Sequence, residues 1–368
     1  MAHEENLKSK RSGALDLFRF LAVLVVFLAH YTDTFNFIYN IVPANLKWSP
    51  VSRYGSCALL IFFMISGYVV TMTSVKRNLK DFLIARLSRI YPLFWVSCII
   101  AFALPRLIHD HTYLTYSTVK QLLFNMTMVP QVFRYEMINP VYYTLLIELV
   151  FYFFIAFIIL FKLWDKILIV LSVILAYCLA YSQDITASLH IFIPPFLAGM
   201  LFYFIKIKYK TVWKLYALLA VNYFCTLTSG RFLVLTLSQY YKNPDALNVW
   251  TMTIIITCIY GLLYLITIAR PVIKDSKFTR VLGEIAYPFY LFHVYFLFWY
   301  WYFSKTVQPD VLLLAILAVV LLVSWGVNVW VEKPLSKLTS HILYLITGLF
   351  GKSKNEKEYL PRNEPPPL

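Results

Sequence analysis

A run of apolar residues long enough to cross a bilayer, Ala14 to Tyr31, carries three ionisable side chains. Asp16 and Arg19 lie near one end and His30 near the other. Charge inside an apolar span is costly, so such groups face a protein interior or a wet cavity and mark a pathway. On a helix, the spacing from Arg19 to His30 is about three turns and roughly 16 Å of rise, which leaves both side chains on nearly one stripe. One helix face then presents a cation at one depth and an imidazole at another.

The rest of the chain repeats the apolar pattern. Of 368 residues, 60% are hydrophobic and 14% charged, more apolar than a water-soluble domain of this size requires. Apolar runs of about 18 residues or more predict ten membrane helices, at roughly 14–31, 57–75, 84–105, 140–161, 166–183, 189–205, 211–228, 248–269, 284–303 and 311–330. The fold class is therefore an all-α polytopic membrane bundle. No A-x-A-like site follows the first run, so it reads as a span rather than a signal peptide. Pro92 and the pair Pro194-Pro195 predict kinks, and 106–139 is the longest loop. The chain divides into a polar segment 1–13, a membrane domain 14–336, an interfacial amphipathic segment 337–351 and a disordered tail 352–368.

Net charge is +15. In a polytopic chain such an excess belongs to cytoplasmic loops, and nucleic acid is not the expected partner. Lys8, Lys10, Arg11, Lys76, Arg77, Lys80, Arg86, Arg89, Lys162, Lys166, Lys206, Lys208, Lys210, Lys214, Arg270, Lys274, Lys277, Arg280 and the tail fall on the side of the termini. Lys47, Arg53, Arg106, Lys120, Arg134, Arg231, Lys242 and Lys305 fall on the other. Both termini are thus expected in the cytoplasm, with Arg19 toward that face and His30 toward the outer one. The five cysteines show no paired metal spacing and read as small buried hydrophobes, so no metal site is expected. A Gly-rich phosphate loop, a G-x-S-x-G elbow and an H-E-x-x-H helix are all absent from the sequence.

Four further groups bear on chemistry. Glu148, in YYTLLIELVFY, lies close to the expected depth of His30. A His–Glu pair would fix the imidazole tautomer and raise its basicity, as a general base acting on an alcohol requires. Arg86 and Arg89 form R-x-x-R on one helix face, either a phosphate clamp or an ordinary positive-inside flank. His293, near Tyr287 and Tyr290 in AYPFYLFHVYF, either lines a cavity or bonds a neighbour. Asp16 is one turn from Arg19, as an intrahelical counter-ion either to a pathway arginine or to a snorkelling one. Glu332, in VEKP, reads as structural.

Taken together, LDLFRFLAVLVVFLAH, FFMISGYVV, RLSRIYPLFWV, YTLLIELVFYF, YPFYLFHVYF and VEKP resemble the acyltransferase 3 family of bacterial integral membrane acyltransferases, over about residues 14–336. The family more often has W-S-L before the glutamate and WH in place of FH. The resemblance implies ten core helices in the bacterial inner membrane and O-acylation of a surface polysaccharide or lipid-linked sugar. It implies acyl-CoA, most commonly acetyl-CoA, as a cytoplasmic co-substrate rather than a bound cofactor. Carried onto this chain, Arg19, Arg86 and Arg89 would hold acyl-CoA, and His30 with Glu148 would be catalytic. Asp16, Tyr287 and His293 would line the cavity. His30 would act either as a base or through a transient acyl-histidine. Two other classes fit the charged stripe: an exporter of glycans or acyl groups, which moves substrate without acyl-CoA, and a structural partner of polysaccharide assembly proteins. The lack of an obvious internal repeat counts against the exporter.

Overall fold

The computed structural model describes residues 12–34, 53–108, 116–181, 189–240, 247–269 and 273–349. Those residues are helical with short connections and no strand. The N-terminal segment and the tail from Lys352 lie outside them. In chain order the helices are α1 (Gly13–Ala29), α2 (Ala58–Ser74), α3 (Leu79–Ile108), α4 (Val119–Asn125), α5 (Tyr142–Leu160), α6 (Ile167–Ala180) and α7 (Leu189–Lys206). They continue with α8 (Val212–Tyr240), α9 (Val249–Thr267), α10 (Lys277–Phe292), α11 (Leu297–Phe303), α12 (Pro309–Val327) and α13 (Lys333–Leu349).

Among the described residues, nine helical runs are long and apolar enough to cross a membrane. The tenth expected span, α7, is apolar but shorter, over Phe192–Lys206. The chain is an all-helical polytopic membrane bundle. Its large exposed side chains are those of a lipid-facing surface, such as Phe153, Ile169, Phe224, Leu265 and Leu322.

Lipid tails are as apolar as leucine, so burial alone does not drive helices together in a bilayer; close packing and hydrogen bonds do. The crossing of α2 and α7 is the tightest example. A Cβ on Gly67 would lie 2.1 Å from the Phe196 carbonyl oxygen, and one on Gly199 would lie 2.0 Å from that of Met64. The two backbones touch. Hydrogen bonds supply the rest. Pro288 lacks the N–H that would bond the Glu284 carbonyl four residues earlier. Asn328, at the end of α12, donates to that carbonyl at 3.3 Å and to Glu332 Oε2 at 3.0 Å.

At the sites of the expected kinks, α3 continues as helix through Pro92 and α7 through Pro194-Pro195. The pair in α7 lies in its second turn, and the missing N–H groups leave the first-turn carbonyls of residues 190 and 191 without their helical donors. Asn222 of α8 donates to the Pro194 carbonyl at 2.9 Å. The expected loop 106–139 is partly structured: α4 and the turn after it fold back along α3. There Tyr91 donates to the Thr127 carbonyl (3.1 Å) and Trp95 to that of Met126 (3.0 Å). Residues 229–240, expected as loop, extend α8. The segment after α12 continues as a π-helical turn, Asn328–Glu332, and α13, which meets the start of α3 through a Tyr344–Asp81 hydrogen bond of 3.2 Å.

The α2–α7 contact generates a paired test. Gly67→Ala forces a backbone apart and is expected to cost about 1–3 kcal/mol, as overpacking does, seen as a lower unfolding temperature of the detergent-purified protein. Gly261→Ala in α9, where a Cβ meets nothing within 4 Å, is expected to leave that temperature unchanged or raise it. Equal shifts in the two variants would contradict the assigned contact.

Candidate active site

Five of the eight residues singled out by sequence line one pocket. They are Arg19 of α1, Arg86 and Arg89 of α3, Glu148 of α5 and Tyr287 of α10, joined by Ser66 of α2 and Tyr152 of α5. Phe62, Val69, Val70 and Ile90 make the apolar remainder. The wall carries three guanidinium groups and one carboxylate.

Most of these polar groups are held. Glu148 Oε1 accepts from Ser66 Oγ (2.9 Å) and from Tyr152 OH (2.7 Å). Tyr152 is four residues beyond Glu148, so both stand on one face of α5. The buried Arg86 guanidinium lies 5.8 Å from the ring centroid of Phe82 and 5.7 Å from that of Tyr152, within cation–π range. It donates to Thr73 Oγ1. Its Nε is buried and has no hydrogen-bond partner among the described residues. Asp16 is buried behind Arg19, against α10: a Cβ on Gly283 would fall 2.4 Å from Asp16 Oδ1. Asp16 and Glu148 both act electrostatically on Arg19, and Arg89 opposes them. Tyr287 is fixed by donating to the Ile90 carbonyl of α3 at 2.9 Å.

The second cluster lies further along α1 and α10. From Tyr287 to His293 the rise is about 9 Å, and Tyr290 stands between them. Its ring stacks on Phe62 of the pocket wall (centroids 6.4 Å apart), and its hydroxyl meets Thr144 Oγ1 at 2.7 Å. At Ala29 the α1 helix loosens into a π-helical turn, His30–Thr34, a distortion common at functional sites. The turn brings His30 against His293: the Nδ1 of His30 is 2.9 Å from the Nε2 of His293, and the rings stack with centroids 5.0 Å apart. His293 is buried; its Nδ1 is 2.7 Å from the Tyr290 carbonyl, and its own carbonyl accepts from Tyr31 OH at 2.5 Å.

The expected neighbour of His30 was Glu148, and here the structure differs. The level of α5 beside Tyr290 is occupied by Thr144. Glu148, one turn further on, falls beside the arginines and bonds Ser66 and Tyr152. The imidazole partner comes from α10 instead. Asp16 does stand beside Arg19, Tyr287 lines the pocket, and His293 sits at the histidine cluster. Ser66, Thr73 and Tyr152 were not singled out from the sequence. The i, i+4 spacing of Tyr152 from Glu148 was the one signal available, while the partnership of Ser66 and Thr73 depends on helices meeting across the bundle.

Glu148→Gln keeps an acceptor for Ser66 and Tyr152 and removes the charge; Glu148→Ala removes both. Breaking a buried charge contact by deleting one partner costs about 3–5 kcal/mol. Both variants are expected to unfold at lower temperature than wild type, with Glu148→Ala the lower. A wild-type melting temperature in both would show that Glu148 does not hold the arginine pocket together.

Comparison with known proteins adds one match of high coverage. The family model described as an acyltransferase domain matches residues 12–329, nearly the whole membrane bundle and all the residues of both clusters. No curated protein and no solved structure matches the chain. Since the match covers well over half its length, the chain belongs to the acyltransferase 3 family and is a membrane acyltransferase.

Proposed function

We propose that the protein is a multi-pass enzyme of a bacterial inner membrane, with both termini cytoplasmic. It moves an acyl group, in the first instance acetyl, from cytoplasmic acyl-CoA to a hydroxyl of an extracytoplasmic or lipid-linked surface sugar. The observation that carries this reading is the position of the two clusters on one pair of helices: an arginine-walled pocket at one level of α1 and α10, and a histidine pair about three turns further along α1 and about two turns further along α10.

Three guanidinium groups facing one carboxylate favour an anionic guest, and planar guanidinium groups match phosphate oxygens. The buried, unpartnered Nε of Arg86 is a donor for which such a guest supplies an acceptor. In this reading the phosphates of acyl-CoA dock at Arg19, Arg86 and Arg89, and the flexible arm carries the thioester along α10, past Tyr290, toward His30. His30 takes the proton from the sugar hydroxyl as its oxygen attacks the thioester carbonyl carbon. The C–O bond forms, the C–S bond breaks, and the departing thiolate takes the proton back, leaving free CoA and an ester. General-base assistance of this kind contributes about 10²–10⁴-fold. Glu148 then serves the donor pocket rather than the histidine.

Two measurements test the reading. Ligand that binds only the folded state raises stability by about 2.7 kcal/mol at a hundredfold excess over its dissociation constant. Acetyl-CoA and CoA are therefore expected to raise the melting temperature of the wild type and of His30→Ala, but not of Arg86→Ala/Arg89→Ala. In membranes given labelled acetyl-CoA, label is expected in the polysaccharide fraction with wild type and not with His30→Ala. Retained transfer by folded His30→Ala would remove His30 from the chemistry. Movement of glycan without acyl-CoA and without an acylated product would replace the reading with an exporter.

A further inference from the structure

The histidine pair contains a chain of hydrogen bonds whose direction is fixed at one end. The Tyr290 carbonyl has lone pairs and no proton, so at 2.7 Å the Nδ1 of His293 must be the donor. In the neutral imidazole the other nitrogen is then an acceptor. That nitrogen, Nε2, faces the Nδ1 of His30 at 2.9 Å. For this contact to be a hydrogen bond, Nδ1 of His30 carries the proton, and the lone pair of His30 lies on Nε2. The order runs from His30 Nδ1–H to His293 Nε2, and from His293 Nδ1–H to the Tyr290 carbonyl.

The frame around the chain is rigid. His293 is buried, with Phe27 and Phe289 against its ring at centroid distances of 6.5 and 6.3 Å. Tyr31 OH holds its backbone carbonyl, and Thr144 holds the Tyr290 hydroxyl. Here α10 tightens into a 3₁₀ turn, His293–Phe296.

We propose that His293 is the positioning residue of His30: it selects the tautomer that puts the lone pair of His30 on Nε2. It takes the place that an acidic side chain holds in a Ser-His-Asp triad, with the Tyr290 carbonyl as the final acceptor. Unlike a carboxylate, this partner adds no negative charge to an apolar part of the bundle. The role in catalysis rests on the reading of His30 as the base; the tautomer assignment does not.

The test uses full-length protein with ¹⁵N-labelled histidine in lipid nanodiscs, with the His30 signals assigned by their loss in His30→Ala. Nitrogen shifts and two-bond couplings report which ring nitrogen is protonated. Wild-type His30 is expected protonated on Nδ1. His293→Ala is expected to shift it to the Nε2–H form, and His293→Gln, whose amide oxygen is an acceptor, to retain Nδ1–H. An Nε2–H form in wild type overturns the proposal, and this measurement stands even if His293→Ala fails to fold. An unchanged tautomer in folded His293→Ala overturns it as well. Kinetics supply the second readout, with acetyl-CoA and a methyl glycoside as probes. His293→Ala is expected to lower kcat by about 100-fold or more with KM for acetyl-CoA unchanged, and His293→Gln to recover most of the loss. Equal kcat in wild type and His293→Ala would overturn the positioning role. If wild type shows the expected tautomer and transfers nothing, the acyltransfer reading falls and the pairing remains.

Discussion

Three guanidinium groups inside an apolar bundle are the constraint on which the rest of this structure depends. A lone arginine at such depth is expensive, and three together repel one another. The protein meets the cost with specific partners from four helices: Asp16 behind Arg19, Glu148 facing the pocket, Thr73 and two aromatic rings around Arg86. The arrangement requires α1, α2, α3, α5 and α10 to meet at one level. Close approaches at small residues accompany this: the Asp16 side chain lies against Gly283, and the backbones of α2 and α7 touch at Gly67 and Gly199. Electrostatic need and close packing are therefore two sides of one design. The pocket is electrostatically tolerable only because the helices approach closely enough to share its carboxylates.

Much of this was legible in the sequence. The apolar runs gave the all-helical membrane class and the approximate position of every span, because length and hydropathy are properties of single segments. Arg19, Arg86, Arg89 and Glu148 stood out for the same reason: each is an ionisable residue where none is cheap. The pairing of these residues was not legible. His30 and His293 are 263 positions apart, and nothing local to either shows that a π-helical turn and a 3₁₀ turn bring their rings together. Depth reckoning put Glu148 near His30, and an error of one helical turn was enough to exchange its neighbours. The prolines marked expected kinks, and the helices α3 and α7 continue through them.

The two clusters divide the work of the bundle by chemistry. One level is cationic and holds hydroxyl and carboxylate groups at fixed distances. The other is uncharged when both imidazoles are neutral, lined by aromatic rings, and supplied with protons in a defined order. Tyr290 belongs to both: its ring faces Phe62 of the pocket wall, and its carbonyl faces His293. A single helix, α10, thus carries the register between them, and a rotation of α10 would disturb both at once.

The proline in that same helix has a consequence for how the sequence can change over time. Pro288 leaves the Glu284 carbonyl without its usual donor, and Asn328 of α12 supplies one. Neither residue has a full reason to persist without the other. A lineage that replaced Pro288 with a residue bearing an N–H would leave Asn328 only its bond to Glu332 to hold it in place. One that lost Asn328 first would leave an unmet carbonyl in the bundle and favour loss of the proline. The two positions, forty residues apart in the chain, form a single heritable unit and are expected to vary together among related sequences.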